Sequence, residues 1–189
     1  MAEIHVLSPG YVLRGDERRV GSTVSLIRAE GALIVVDPGM VASRSVILDG
    51  IETRGHDVGD VTDVVISHHH PDHTINIALF PNASVHDHWA VYKDDVWDSR
   101  AAEGYEVAPG VTLLETPGHT PQDITTLVDT DEGVVAFTHL WWSSTGPEED
   151  PFSTDPEALH RGRARVLEVA SLIVPGHGPA FAPDDSTPR

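Results

Sequence analysis

The chain has 189 residues, of which 40% are hydrophobic, and its 30 acidic against 12 basic residues give a formal net charge of −18. This length and apolar content suit a single folded domain over residues 1–189. The absence of cysteine excludes disulfides, a thiolate nucleophile and cysteine-ligated zinc or iron–sulfur centres. Because binding to polyanions depends on Lys and Arg, the charge argues against nucleic acid as a partner.

No apolar run is long enough to span a bilayer, and no basic-then-apolar segment opens the chain. We therefore expect a cytoplasmic protein with no membrane partner. The composition stands out in one respect, which is its twelve histidines.

The first half of the chain predicts two strands, over residues 23–28 and 32–36, joined by a turn at Glu30-Gly31. A helix is predicted over residues 43–54, capped by Ser43. A buried type of strand follows over residues 61–67.

The second half predicts further strands, a hairpin and a second helix. The strands cover 84–86, 111–116, 124–128, 134–137 and 172–174, the helix covers 156–170, and the tail from about residue 182 is expected to fray.

Three of these strands deliver histidine into the turn that follows them. The first turn is His68-His69-His70-Pro71-Asp72-His73, and the other two are Pro-Gly-His turns ending at His119 and His177. Imidazole suits zinc, iron and manganese, and a carboxylate adds negative charge. The short turn can offer His68 and His70 to one ion and Asp72 and His73 to a second, with His119 and His177 as candidates for the remaining ligands.

The six-residue motif at 68–73 resembles the HxHxDH signature of the metallo-β-lactamase fold hydrolases. Asp37-Pro38-Gly39 and the two Pro-Gly-His turns resemble the other motifs of that family, in the same order. The resemblance covers residues 23–178, and it is most similar to the small single-domain branch of metallo-β-lactamase domain-containing protein 1. It implies an α/β fold, the αββα four-layer sandwich, with two facing sheets, helices outside and metals at one rim.

The resemblance also implies two ligand groups. The first ligand group is His68, His70 and His119, and the second ligand group is Asp72, His73 and His177. One or two divalent ions are implied, zinc first, with iron or manganese as alternatives.

The sequence departs from the family at His139, where an aspartate that bridges the two ions is usual. His139 can ligate one ion and leave the pair joined only by hydroxide, or the second site can be weak and the centre mononuclear. Packing of His139 away from the ions is the remaining alternative.

The function implied is hydrolysis of an ester, thioester, lactone or amide bond of a small molecule by metal-bound hydroxide, with Asp72 as the catalytic carboxylate. Alternatives are a phosphodiesterase or nuclease, an iron-dependent enzyme of the persulfide dioxygenase type, and a non-catalytic metal-binding protein. A homodimer is also compatible with the sequence.

Aromatic residues near the motifs are candidates for the substrate pocket. Trp141 and Trp142 follow His139 directly and would line an apolar pocket, whereas Trp89 and Trp97 are expected in the core or an interface. The acidic loop over residues 143–152 would form part of its rim.

The other histidines are not expected to be ligands. His69 alternates with His68 and His70 along the chain, so its side chain is expected to face away from the ions. His86 and His88 are expected to be structural or at the rim, and His5, His56 and His160 are expected on the surface.

Overall fold

Two β-sheets carry the architecture of the computed structural model, which describes residues 1–13, 15 and 18–189. The seven-stranded sheet has the order β1 (Glu3–Ser8), β4 (Val24–Ala29), β5 (Ala32–Val36), β6 (Asp63–Val65), β7 (Ser84–His86), β8 (Ala90–Lys93) and β9 (Val96–Ser99). The five-stranded sheet has the order β10 (Glu106–Ala108), β11 (Val111–Glu115), β12 (Ile124–Thr130), β13 (Gly133–Thr138) and β14 (Ala170–Pro175). A separate ribbon pairs β2 (Tyr11–Leu13) with β3 (Arg19–Gly21).

The helices are α1 (Ser45–Glu52), α2 (Pro71–Thr74) and α3 (Pro156–Val169), and 3-10 turns cover Val58–Asp60 and Ile77–Leu79. No helix in the described part of the chain is long and apolar enough to cross a bilayer.

Three apolar layers hold these elements together. Between the sheets, side chains such as Ile34 and Val65 of the larger sheet pack against Leu113 and Phe137 of the smaller one. The outer face of the larger sheet is covered by α1, through Ile47 and Ile51. The outer face of the smaller sheet is covered by α3, through Leu159 and Val166. The order helix, sheet, sheet, helix confirms the αββα sandwich.

Strand direction places the functional turns on one rim. β5, β6 and β7 are parallel to one another, so their carboxyl ends lie side by side. β13 and β14 are also parallel, and β11 runs in the same direction as β13 because both are antiparallel to β12. Two backbone hydrogen bonds join the sheets at this rim, from Thr23 N to Gly176 O (2.8 Å) and from Ile124 N to Ser67 O (2.9 Å).

The predicted elements are all present, with shifted ends. α1 begins at Ser45 rather than at 43, and its N-cap residue is Arg44, which makes no side-chain capping hydrogen bond; Ser43 Oγ instead accepts the N–H of Ser45 at 3.3 Å. The strands that periodicity missed include β1, β8 and β9. β9 is exposed along its whole length, so it has no apolar alternation that would reveal it.

Residues near the C-terminus make hydrogen bonds with the rest of the fold. Phe181 and Ile173 exchange two backbone hydrogen bonds of 2.8 and 2.9 Å. The indole N–H of fully buried Trp141 donates to Pro188 O at 2.8 Å, and Thr187 is buried. A buried indole needs an acceptor, and the tail supplies it.

Arg163 is a fully buried arginine on α3 that holds the chain after β13 in place. Its Nε donates to Leu140 O (2.9 Å), Nη1 to Glu148 O (2.7 Å) and Nη2 to Pro147 O (2.8 Å). The guanidinium also lies over the Trp141 ring, at 5.6 Å from its centroid.

We predict that Arg163→Met lowers the free energy of unfolding by about 3 kcal/mol or more, because three carbonyl groups lose a charged donor that water cannot fully replace. Urea denaturation followed by circular dichroism measures the change. The matched control is Arg161→Met, two residues away on the exposed side of α3, which should change stability by less than about 0.5 kcal/mol. Equal denaturation midpoints for the two variants would contradict this role of Arg163.

Candidate metal centre

The first ligand group lies at the ends of β6 and β11. His68 Nε2 is 3.0 Å from His70 Nδ1, and His119 Nε2 is 3.0 Å from the same His70 nitrogen. Three imidazole nitrogens therefore converge on one point. His68 and His119 are buried, whereas His70 is exposed toward the rim.

The second ligand group combines the start of α2 with the turn after β14. Asp72 Oδ2 lies 3.6 Å from His73 Nε2 and 3.6 Å from His177 Nε2. His73 Nε2 is buried and has no hydrogen-bond partner among the described residues. A buried nitrogen without a partner beside a carboxylate is the arrangement that a bound cation would complete.

His139 lies between the two ligand groups. Its Nε2 is 3.1 Å from His177 Nε2, and its ring centroid is 4.2 Å from that of His119 and 4.5 Å from that of His68. Donor atoms of His139 lie within 4.8 Å of those of His68 and His119, and also of those of His73 and His177. The structure thus places His139 among the candidate ligands rather than pointing away from them.

A glycine allows this placement of His139. A Cβ atom on Gly176 would lie 2.4 Å from His139 Cδ2, so only glycine permits the turn after β14 to cross this ring.

Partners of the opposite ring nitrogens fix the histidine tautomers in the turn after β6. His73 Nδ1 is 2.8 Å from Asp37 Oδ2, an oxygen that only accepts, so the proton lies on Nδ1 and the lone pair on Nε2. Ser67 Oγ donates to the same Asp37 oxygen at 2.7 Å. The lone pairs of Ser67 Oγ therefore remain free, and this oxygen accepts from His68 Nδ1 at 3.0 Å. Both Nε2 lone pairs therefore point inward.

The same logic holds for the other two turns. His119 Nδ1 donates to Asp150 Oδ2 at 2.7 Å, and His177 Nδ1 donates to Gly21 O at 3.0 Å. Such outer partners orient a ligating imidazole and increase its basicity. Each fixes a ring in the form that can bind a metal ion through Nε2.

Burial keeps most of these rings neutral. It lowers the pKa of His68 and of His139 well below the usual histidine value, and neighbouring imidazoles add to the effect. Burial also lowers the pKa of His177 to about 4. At His73 burial works in the same direction, but the Asp37 carboxylate outweighs it and raises the pKa. Neutral imidazoles are the form that ligates metals.

A cavity of about 480 Å³ opens onto the two ligand groups. His70, Asp72, His119, His139 and His177 form its polar floor. The walls are apolar and consist of Val12, Trp142, Pro151 and Phe152. A small organic molecule placed there would contact the candidate metal ligands and an apolar wall together.

The comparisons with known proteins agree with this centre. The sequence profile of the Metallo-beta-lactamase superfamily matches residues 18–181. The chain belongs to the metallo-beta-lactamase superfamily. Metallo-beta-lactamase domain-containing protein 1 of Xenopus laevis is 35% identical over 189 residues, which cover 94% of this chain and 80% of the relative. This match confirms the resemblance to that branch.

Two further comparisons extend the family assignment. N-acyl homoserine lactonase of Bacillus thuringiensis is 28% identical over 147 residues, covering 68% of this chain and 59% of the lactonase. A crystal structure from Thermotoga maritima, assigned to the metallo-beta-lactamases, has a TM-score of 0.75 at 22% identity and covers 96% of this chain and 99% of that chain. The structural likeness shows the fold.

The tryptophan pair after β13 divides between pocket and core, which corrects the prediction for Trp141. Trp142 lines the cavity of this metallo-beta-lactamase-fold protein. Trp141 is fully buried and packs with Phe181 and Arg163. The two neighbouring rings therefore lie in different environments, one in the core and one in the cavity wall.

The remaining aromatic and histidine residues lie outside the two ligand groups. Trp89 and Trp97 are exposed, at 47% and 63% of their surface. His69 lies 3.0 Å from Asp87 Oδ2 and stacks on Trp89. His86 Nε2 lies 2.8 Å from Asp63 Oδ1, and His86 is not among the residues that line the cavity.

Sequence reasoning missed the residues that orient the ligands. Asp37 was noted only as part of a family motif, yet its carboxylate also accepts the backbone N–H of Ser67 at 2.7 Å. A polar residue directly after a buried strand was the available signal. Asp150 had no comparable signal, because it lies within a run of acidic residues in a loop.

We predict that Asp37→Asn weakens zinc binding by about 10- to 100-fold, because the Asn NH₂ group would face a donor in either orientation, either the backbone N–H of Ser67 or the His73 Nδ1–H and Ser67 hydroxyl. Competition with a chromophoric chelator measures the affinity. Asp63→Asn is the matched control, since it disturbs an Asp–His pair of similar geometry outside the centre. An equal loss of zinc affinity in both variants would assign the effect to general destabilisation.

Proposed function

We propose that this protein is a metal-dependent hydrolase that cleaves an ester, thioester, lactone or amide bond of a small molecule. The observation that carries the proposal is the convergence of six imidazoles and the Asp72 carboxylate, of which four imidazoles and Asp72 form the floor of one apolar-walled cavity. A divalent ion bound there would lower the pKa of water and polarise the scissile carbonyl oxygen.

Asp72 is proposed as the proton-transfer group. Its side chain is partly exposed to the cavity, whereas Asp37 and Asp150 are buried and occupied by ligand histidines. A carboxylate at this position can accept a proton from the attacking water and return it to the leaving group. The ligand histidines would not serve this purpose, since their lone pairs are directed at the ions.

The cavity wall and the charge favour a small substrate with an apolar part. Trp142 and Phe152 offer aromatic faces, and acidic Glu148 and Glu149 are exposed on the same loop. The chain has a net charge of −18, and the acidic residues of this rim would add to the repulsion of phosphodiester polymers. The similarity to N-acyl homoserine lactonase adds lactones to the substrates we would test first.

We test the function with a panel of matched lactone, thioester, ester, amide and phosphodiester substrates, assayed with zinc, manganese and iron(II). Cleavage of acyl substrates at rates well above those of the phosphodiester supports the proposal. Preferential phosphodiester cleavage would indicate a nuclease, and oxygen consumption by the iron form would indicate an oxidative enzyme. Metal binding without turnover of any substrate would favour a non-catalytic role.

We predict that His70→Ala lowers kcat/KM for the best substrate by about 100-fold or more, because one of three converging nitrogens is removed. His69→Ala is the matched control from the same turn, and it should retain activity within about threefold because His69 contacts Asp87 instead. Full activity of the His70 variant would rule out chemistry at the first ligand group.

Charge balance leads us to propose one tightly bound ion, zinc, in the wild-type protein. Asp72 is the sole carboxylate among the seven candidate ligands, so two dications would leave the ligand set with a net charge of +3, which the adjoining Asp37 and Asp150 carboxylates reduce only to about +1. The imidazole-rich donor set favours zinc over manganese, which prefers oxygen ligands.

We predict that His139→Asp retains two zinc ions per chain after dialysis, whereas wild type and His139→Asn retain one. The two substitutions differ by a single charge at nearly equal size, so the comparison isolates electrostatics. Elemental analysis gives the stoichiometry. Two ions in the wild-type protein, or equal stoichiometry in both variants, would contradict the charge argument.

A further inference from the structure

One oxygen atom connects the cavity wall to the first ligand group. Asp150 Oδ2 accepts from His119 Nδ1 at 2.7 Å and from Trp142 Nε1 at 3.2 Å. Its second oxygen, Oδ1, accepts the backbone N–H of Phe152 at 2.9 Å. Asp150 is buried, with 8% of its surface exposed, and these hydrogen bonds outweigh burial and lower the pKa of its carboxyl group.

The two aromatic residues held by Asp150 form a continuous wall. The Trp142 and Phe152 rings are nearly parallel, with an interplanar angle of 12° and centroids 5.8 Å apart. The Trp142 centroid lies 6.1 Å from that of His177 and 6.5 Å from that of His139. A substrate acyl group lying against this wall would therefore be next to the candidate ligands.

The backbone around Asp150 is held on both sides. Arg163 donates to Pro147 O and Glu148 O just before it. After it, Thr154 N donates to Gly118 O at 2.9 Å, which ties the loop to the turn that carries His119. The Asp150 carboxylate thus has a fixed position from which it can orient the His119 ring and the Trp142 ring.

We propose that Asp150 is a positioning residue that couples the orientation of the aromatic wall to metal binding at His119. His119 Nδ1–H would be a stronger donor with a cation at Nε2, and it would then draw Asp150 Oδ2 toward it and alter the bond from Trp142 to the same oxygen. By thermodynamic reciprocity, a substrate that moves Trp142 changes the affinity of the first ligand group for its ion. The substrate half of this coupling rests on the proposed hydrolase function, and the metal half does not.

Asp150→Asn is the direct test, with Glu149→Gln as the control for loss of one negative charge from the same loop. The Asn amide places an NH₂ group against an N–H donor whichever way it turns, facing either Phe152 or the His119–Trp142 pair. We expect a 10- to 100-fold weaker zinc affinity for the Asp150 variant and less than a threefold change for the control. Equal zinc affinity in the Asp150 variant and wild type would overturn the proposal.

The indole N–H signal of Trp142 provides a readout that loss of stability alone would not move. The protein has four tryptophans, so the ¹H–¹⁵N spectrum should show four indole signals, and Trp142→Phe identifies the one from Trp142. Zinc titration should shift this signal in wild type and in Glu149→Gln, and the shift should be at most half as large in Asp150→Asn. An undiminished shift in Asp150→Asn would overturn the coupling.

A measurement on the wild-type protein keeps the proposal testable if Asp150→Asn does not fold. Two-bond ¹H–¹⁵N spectra report which nitrogen of a histidine carries the proton, and the proposal requires His119 to carry it on Nδ1. A proton on Nε2 would overturn it. These readouts need no turnover, so absence of hydrolysis would count against the proposed function and leave the role of Asp150 to be decided by them.

If the protein hydrolyses a substrate, the kinetics of Trp142→Phe test whether the aromatic wall positions that substrate. Trp142→Phe should raise KM for long-chain acyl substrates by about tenfold with kcat nearly unchanged, because it alters the wall and leaves the bond between Asp150 and His119 in place. A loss confined to kcat would contradict a role of the wall in substrate positioning.

Discussion

The carboxylate of Asp37 is the interaction on which the centre depends most. It accepts from Ser67 N and Ser67 Oγ, and it accepts from His73 Nδ1. These bonds tie the end of β5 to the turn after β6 and align ligand histidines of both groups. The cost of burying this charge is offset by donors that all come from one turn, so the carboxylate and the turn hold each other in place.

The close approach of these segments needs glycine as well as charge. A Cβ atom on Gly39 would lie 1.7 Å from Asp72 O, so the turn after β5 can pass over α2 only without a side chain. On the other sheet, Gly176 has the same role beside His139. The sandwich brings the carboxyl ends of strands from both sheets to one rim, and these glycines let the turns there meet.

Asp150 serves the second sheet as Asp37 serves the first, although it lies in a loop without regular structure. The loop is held by Arg163, and Trp141 packs into the core beneath it while Trp142 faces the cavity. Core packing, wall and ligand orientation are therefore built by one short stretch of chain. Arg163 therefore helps to position the site although its hydrogen bonds go to none of the candidate ligands.

The sequence by itself determined the strands and the ligand types, because apolar strands and the histidine turns that follow them are local patterns, and the resemblance of its motifs to a known family implied the sandwich and the rim. The sequence also showed that His139 stands where the family usually has an aspartate. Only the tertiary structure showed that His139 lies between both groups, that Trp141 and the tail are packed, and which acids orient the ligands. The partners of His73, His119 and His177 lie 36, 31 and 156 residues away in sequence. Hydrogen bonds over such separations leave no periodic signal in the chain, since they form only when segments distant in sequence come together in the fold.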